Sequence, residues 1–151
     1  MTASFLLACA GLVLMFGLVG RSQADGNGAE DVLRVHIVGL RNSNGKVHCT
    51  LFNSPQAFPE DDSKALKDTE APIKDGSAWC NFQAIPAGKY AIVSYHDEND
   101  NGKFDENVIG MPEEGYAFSN NVKPTFSAPS FDECAFDYKG GQQWLTITMM
   151  Y

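Results

Sequence analysis

The sequence predicts an all-β fold: an antiparallel β-sandwich of about six or seven strands with one long packed loop. Three observations carry this. Apolar and polar residues alternate with a period of two in several short runs. Turn-forming residues separate those runs, a spacing typical of sandwiches. No run has a helical period at core length, and no alternation of strands with helices points to a parallel sheet.

The elements follow in order. Leu33, Val35 and Ile37 alternate with Arg34 and His36, the pattern of a half-buried strand. Asn44-Gly45 is a strong turn signal, and Val47, Cys49 and Leu51 then alternate with His48 and Thr50. The two runs predict a hairpin over about residues 31–53, with His36 and His48 diagonal on its outer face. Residues 53–75 are polar and read as a loop, with Ser63 capping a short helix over 64–67. Trp79, Cys80 and Phe82 belong to a third strand. Pro86-Ala87-Gly88 turns the chain into a fourth over 89–96, with Tyr90, Ile92 and Ser94 on one face and Ala91, Val93 and Tyr95 on the other.

Residues 97–129 hold no long periodic run and read as one loop, packed onto the sandwich by Tyr116, Phe118 and Phe126. A short strand is expected over 131–138. Gly140-Gly141 then turns into a last strand, where Leu145, Ile147 and Met149 alternate with Thr146 and Thr148. First and last strands are expected in one sheet. Leu33, Val35, Ile37, Val47, Leu51, Phe82, Ile147 and Met149 are expected in the core.

Composition narrows the class. The 151 residues suit one domain, and 44% hydrophobic with 20% charged residues excludes a disordered chain and a multispan membrane protein. Nineteen acidic against eleven basic residues give a net charge of -8. Such a chain repels phosphates, which argues against nucleic acid and anionic lipid as partners.

Residues 5–20 are almost wholly apolar, and Ser22 and Ala24 are small residues two apart. This predicts a signal peptide over 1–24, cleaved after Ala24, then a short leader over 25–30 and one domain over 31–151. The rival is an uncleaved anchor, but the run is short of the ~20 residues of a span. Cys9 is too near the N-terminus for a lipoprotein site. The expected location is secreted or periplasmic. Cys49, Cys80 and Cys134 remain in the domain. Cys49 and Cys80 share faces with apolar neighbours, and both a Cys49–Cys80 bridge and buried free thiols stay open.

One loop carries a chemical signal. Counting Asp97 as position 1, oxygen side chains fall at 1, 3, 5 and 9 (Asp97, Asn99, Asn101, Asp105), and Gly102 falls at 6. Lys103 at 7 would supply its backbone carbonyl. These are the first nine positions of a calcium loop of EF-hand type. Ca²⁺ takes about six to eight hard oxygens, and alternate residues converge on one point. Val108 stands where the bidentate Glu would be, so Glu106, Glu113 or Glu114 is left to close the sphere. The competing account is an Asx-rich turn. Seven acids against one base over 97–114 favour a cation nearby.

Other candidates are weaker. No Cys-x-x-Cys, His-Glu-x-x-His, Gly-x-Ser-x-Gly or phosphate-cradling loop is present. Trp79, Trp144 and Tyr151 could make an aromatic patch for sugar or protein, but packing in the core and at edges is the commoner fate of such residues.

The runs 95–105 and 110–121, with Gly110-Met111-Pro112-Glu113-Glu114-Gly115-Tyr116, are similar to the domain of unknown function 2141 family of exported bacterial proteins. Pro86-Ala87-Gly88-Lys89-Tyr90-Ala91 and Pro129-Ser130-Phe131-Asp132-Glu133 fit as well. The resemblance covers about residues 31–151. It implies a periplasmic or secreted β-sandwich of transthyretin or carboxypeptidase-regulatory type, and it implies no activity. Cys80 and Cys134 lie outside its motif. The functional expectation is an exported non-enzymatic accessory or binding module with a structural Ca²⁺ loop and a protein or carbohydrate partner. The alternative is a hydrolase or other small-molecule enzyme using the 97–114 loop, which would need a cleft lined by His96, Glu113 and Glu114.

Overall fold

The computed structural model describes residues 31–151. The expected signal peptide and leader lie outside these residues. Eight strands form, and they are named here β1 (Val32–Val38), β2 (Lys46–Phe52), β3 (Lys67–Pro72), β4 (Ala78–Gln83), β5 (Gly88–Asp97), β6 (Gly115–Phe118), β7 (Phe136–Tyr138) and β8 (Gln142–Thr148). One short helix, α1 (Phe131–Cys134), precedes β7. The small sheet has the order β4-β1-β8, and the large sheet has the order β3-β2-β5-β6, with β7 also pairing β5.

The period-two runs became strands because each has one apolar face to bury. Leu33, Val35 and Ile37 point from the small sheet into a core shared with Val47, Cys49, Leu51 and Ile92 of the large sheet. All eight residues expected in the core are buried. The first and last strands are neighbours, as expected, but their pairing is parallel: Val32 stands opposite Gln142 and Ile37 opposite Ile147. Every other pairing between strands is antiparallel. A parallel pair needs a long connection, and here β2–β7 supply it.

The expected hairpin of the first two runs does not form. β1 pairs with β4 and β8, whereas β2 pairs with β3 and β5. The chain crosses between sheets at the turn, so His36 and His48 lie on different sheets rather than together. The turn itself does need its glycine. Gly45 has φ +59°, and a Cβ there would lie 1.8 Å from the carbonyl oxygen of Asp97. The turn signal was sound, but a crossover between facing sheets uses the same residues as a hairpin.

Two further strands lie where loops were expected. β3 is an edge strand, Lys-Asp-Thr-Glu-Ala-Pro, with only Ala71 buried, so it has almost no apolar signal. It forms because the ladder with β2 supplies its hydrogen bonds. β6 has four residues and pairs with β5 inside the segment read as one long loop. Ser63 caps no helix: a single 3-10 turn spans Asp62–Lys64, and Lys67 already begins β3. The first half of 131–138 is helical rather than strand. Ser130 accepts the Glu133 N–H, and the Glu133 carboxylate accepts the Ser130 N–H, a reciprocal cap readable as Ser-x-x-Glu.

Cys49 on β2 and Cys80 on β4 form a disulfide with Cα atoms 6.4 Å apart, which ties the two sheets through the core. Cys134 is free and buried. Burial, then the nearby Glu133 charge, pushes its thiol up to about 12. The outer face of the large sheet has a second apolar cluster. Phe52, Ala91 and Phe118 are covered there by Ala57, Phe131 and Cys134 from the connecting segments.

Candidate functional site

β5 carries the chain into the acidic loop and ends on Asp97, whose side chain is fully buried. Its carboxylate accepts the backbone N–H groups of Asn101 (3.0 Å) and Gly102 (2.8 Å). Asn99 Oδ1 accepts the Asn101 N–H at 3.1 Å, and Asn101 Oδ1 accepts the Lys103 N–H at 2.8 Å. Asp100 and Gly102 take left-handed φ values of +58° and +75° to make the bend. A Cβ at Gly102 would touch nothing within 4 Å, so conformation, not space, selects glycine there.

Asn99, Asn101 and Asp105 meet, but through the asparagine amide nitrogens, while the asparagine oxygens turn to the backbone. Asp105 Oδ2 receives the amide groups of Asn99 (2.6 Å) and Asn101 (2.8 Å). Lys103 is exposed, and its N–H, not its side chain, ties it to the loop. Of the three glutamates left to close the loop, Glu106 and Glu113 are exposed and Glu114 is buried. Glu114 Oε1 accepts the Glu98 N–H at 2.8 Å, and Oε2 accepts the Asp105 N–H at 3.2 Å. One carboxylate thus clasps both ends of the nine-residue run.

The electrostatics follow from this wiring. Burial pushes the Asp97 carboxyl up, but the N–H donors of Gly102 and Asn101 outweigh it and hold the group below its ordinary value. The same contest lowers Glu98, where burial is outweighed by Asn42 at 2.6 Å and Arg41 at 2.5 Å. Tyr95 is pushed up to about 12 by burial and then by the Asp97 charge. His48 stacks on Tyr95 at 4.5 Å and places Nε2 3.4 Å from Asp97 Oδ2. The antiparallel register sets Lys46 opposite Asp97 and His48 opposite Tyr95. Sequence spacing missed this neighbour, since only the β2–β5 pairing brings it there.

The donor types suit Ca²⁺, being hard carboxylate and amide oxygens, but Asp105 Oδ2 already accepts two amide groups and the asparagine oxygens each accept a backbone N–H. As arranged, the loop closes on its own hydrogen bonds, and among the described residues no group of three or more His, Cys, Asp or Glu is placed to hold a metal.

The cleft an enzyme would need does not form at the residues expected to line it. His96 is fully buried, with Nδ1 2.7 Å from the Tyr151 hydroxyl and Nε2 2.8 Å from the Asn44 carbonyl. Tyr151 in turn lies under the Arg41 guanidinium at 4.4 Å, and Arg41 donates to the Glu113 carbonyl at 3.1 Å. A Cβ on Gly115 would come 2.5 Å from the Tyr151 ring, so glycine there is what admits the tyrosine. Tyr151, itself half-exposed, therefore packs on this end of the sandwich against His96 and Arg41. Trp79 and Trp144, expected to pack, are instead exposed on the small sheet.

Fold and loop together define a two-sheet β-sandwich module with a self-bonded acidic loop at one end. The chain belongs to the bacterial family described as "Uncharacterized protein conserved in bacteria (DUF2141)", which matches residues 35–146. No curated protein and no solved structure matches it.

Proposed function

We propose that the chain is an exported, non-enzymatic accessory or binding module whose 97–114 loop is a structural clasp strengthened by Ca²⁺. The observation that carries this reading is the use of its acids. Asp97 and Glu114 are buried and spend their oxygens on backbone N–H groups. A catalytic carboxylate faces a pocket instead. The disulfide agrees with export to an oxidising space. A cation drawn to Asp97, Asn99, Asn101, Asp105 and the Lys103 carbonyl would offset the repulsion among the seven acids.

Thermal unfolding of the purified protein tests it. Excess Ca²⁺ should raise Tm by roughly 5–10 °C over chelator, as expected for ~2.7 kcal/mol at a hundredfold excess over Kd. Asp105→Ala should remove most of that shift, and Mg²⁺ should do less. Superimposable curves with Ca²⁺ and chelator would leave an ordinary Asx-rich turn. Acid gives a second readout. Asp97 and Glu98 have lowered values, so their stabilisation is complete above the ordinary carboxylate range near pH ~4 and is lost as pH falls through the folded values. Asp97→Asn should flatten that acid limb; an unchanged limb would deny Asp97 the role.

A further inference from the structure

We propose that the outer face of the small sheet binds an acidic oligosaccharide, with Trp79 and Trp144 as stacking platforms and Arg34 as the carboxylate anchor. This deepens the binding-module reading by naming a ligand class, at a site remote in sequence from the acidic loop.

The register builds the face. Outward residues of β1, β4 and β8 align in three rows: Gln83, Val32 and Gln142 across the first, Asn81, Arg34 and Trp144 across the second, and Trp79, His36 and Thr146 across the third; Val32 is buried. The indoles therefore sit on the two outer strands, diagonal to each other, with Arg34 and His36 between them. Adjacent strands lie ~4.8 Å apart and two residues advance ~6.8 Å, so their Cα atoms are roughly 12 Å apart. That span suits a few sugar rings rather than one.

The chemistry narrows the ligand. Trp79 and Trp144 are 48% and 56% exposed, unusual for the largest apolar side chain. They are the chain's only tryptophans. His36 stacks on Trp79 at 4.2 Å and 5° between planes, which holds one indole in place and leaves its other side to a ligand. The polarised C–H groups of a pyranose fit the negative face of such a ring. Asn81, Thr146, Gln83 and Gln142 offer donors and acceptors for hydroxyls.

Charge selects an acidic sugar over a neutral one. The chain has nineteen acids, yet none stands among the outward residues of these three strands. Arg34 is exposed on the middle strand, and its guanidinium makes no ion pair or hydrogen bond among the described residues. Arg41, by contrast, is bound to Glu98, and Lys46 to Glu70 and Asp100. A free guanidinium between two indoles on a carboxylate-free face is complementary to a sugar carboxylate, which it can hold through two parallel bonds.

Tryptophan emission reads this face alone. Tetragalacturonate and a hyaluronan tetrasaccharide are titrated into the full-chain protein in chelator, so that the acidic loop's response to Ca²⁺ does not enter; cellotetraose is the neutral control. The expected result is a saturable change in indole emission with at least one acidic probe. Trp144→Ala should raise its Kd tenfold or more. Arg34→Ala should remove the preference for acidic over neutral sugar, Arg34→Lys should restore part of it, and added salt should weaken acidic binding only. Unchanged Tm in each variant reports that the fold is kept. No emission change with either acidic probe, equal affinity for cellotetraose, or indifference to Trp144→Ala would overturn the proposal. So would sedimentation showing that a second copy of the chain occupies the face, with Trp144→Ala yielding monomer. None of these results touches the Ca²⁺ shift in Tm, so the two readings fail separately.

Discussion

The large and the small sheet each give one face to the shared core, and they differ in what becomes of the other. Behind the large sheet, Phe52, Ala91 and Phe118 are sealed under Phe58, Phe131 and Cys134, with Phe58 making edge contacts to Phe52 at 5.4 Å, Phe131 at 6.0 Å and Phe118 at 6.2 Å. Behind the small sheet, Trp79 and Trp144 stay half in water, and the connecting segments that cover the large sheet do not cover them. Burial of apolar surface drives folding, so a chain able to cover one back face had the means to cover the other. A large apolar side chain can thus be present for stability on one face and for something outside the molecule on the other.

Substitutions break or sharpen this contrast, and the largest effect is expected behind the large sheet. Phe52→Ala should cost about 3–5 kcal/mol, since it removes a fully packed ring and leaves a cavity. Denaturant unfolding at constant m would measure it. A cost below about 1 kcal/mol would mean that the back cluster is not a core. Ser130→Ala comes next. It loses the cap that starts α1 and so loosens the segment carrying Phe131 over the sheet, for about 1 kcal/mol. A null result in thermal melts would put the weight of that lid on its apolar contacts alone. The smallest effect belongs to Trp144→Ala, expected within about 0.5 kcal/mol despite the size of the indole. A loss of several kcal/mol would make Trp144 a structural residue and erase the contrast.

The sequence was clearest where one physical demand acted alone. Period-two alternation located β1, β2, β4 and β8, whose sequences show one apolar face, whereas β5, buried on both faces, was placed by its apolar run after the Pro-Ala-Gly turn. It failed for β3, whose charged edge owes its existence to a neighbour's unpaired backbone, and for β6, too short to show a period. The Asn44-Gly45 turn was visible but its destination was not, since the same residues serve a hairpin and a crossing between sheets. In the loop, spacing singled out Asp97, Asn99, Asn101 and Asp105, and the structure joins them by hydrogen bonds to one another or to the same stretch of backbone. Glu114 was one of three open choices, and only its burial distinguishes it. His48 could not be placed beside Asp97 without the β2–β5 register. The two indoles were expected to pack in the core or at edges, although the period of two already set them outward: Trp144 is in phase with Thr146 and Thr148, and Trp79 is out of phase with Cys80 and Phe82.

The parallel ladder between β1 and β8 has a consequence in time. Val32 faces Gln142 and Val38 faces Thr148, so the central strand of the small sheet must wait for partners more than a hundred positions downstream. Closing a loop of that size precedes any reward from the contact, which slows chain collapse into the right register. During synthesis β1 emerges early with one flank bare, and the large sheet can be assembled around β2 and β5 well before that flank is filled. The surface bearing Trp144 is completed only when β8 docks. A chain trimmed before β8 would therefore keep much of its sealed half, while its exposed half would retain Trp79 on β4 and lack Trp144.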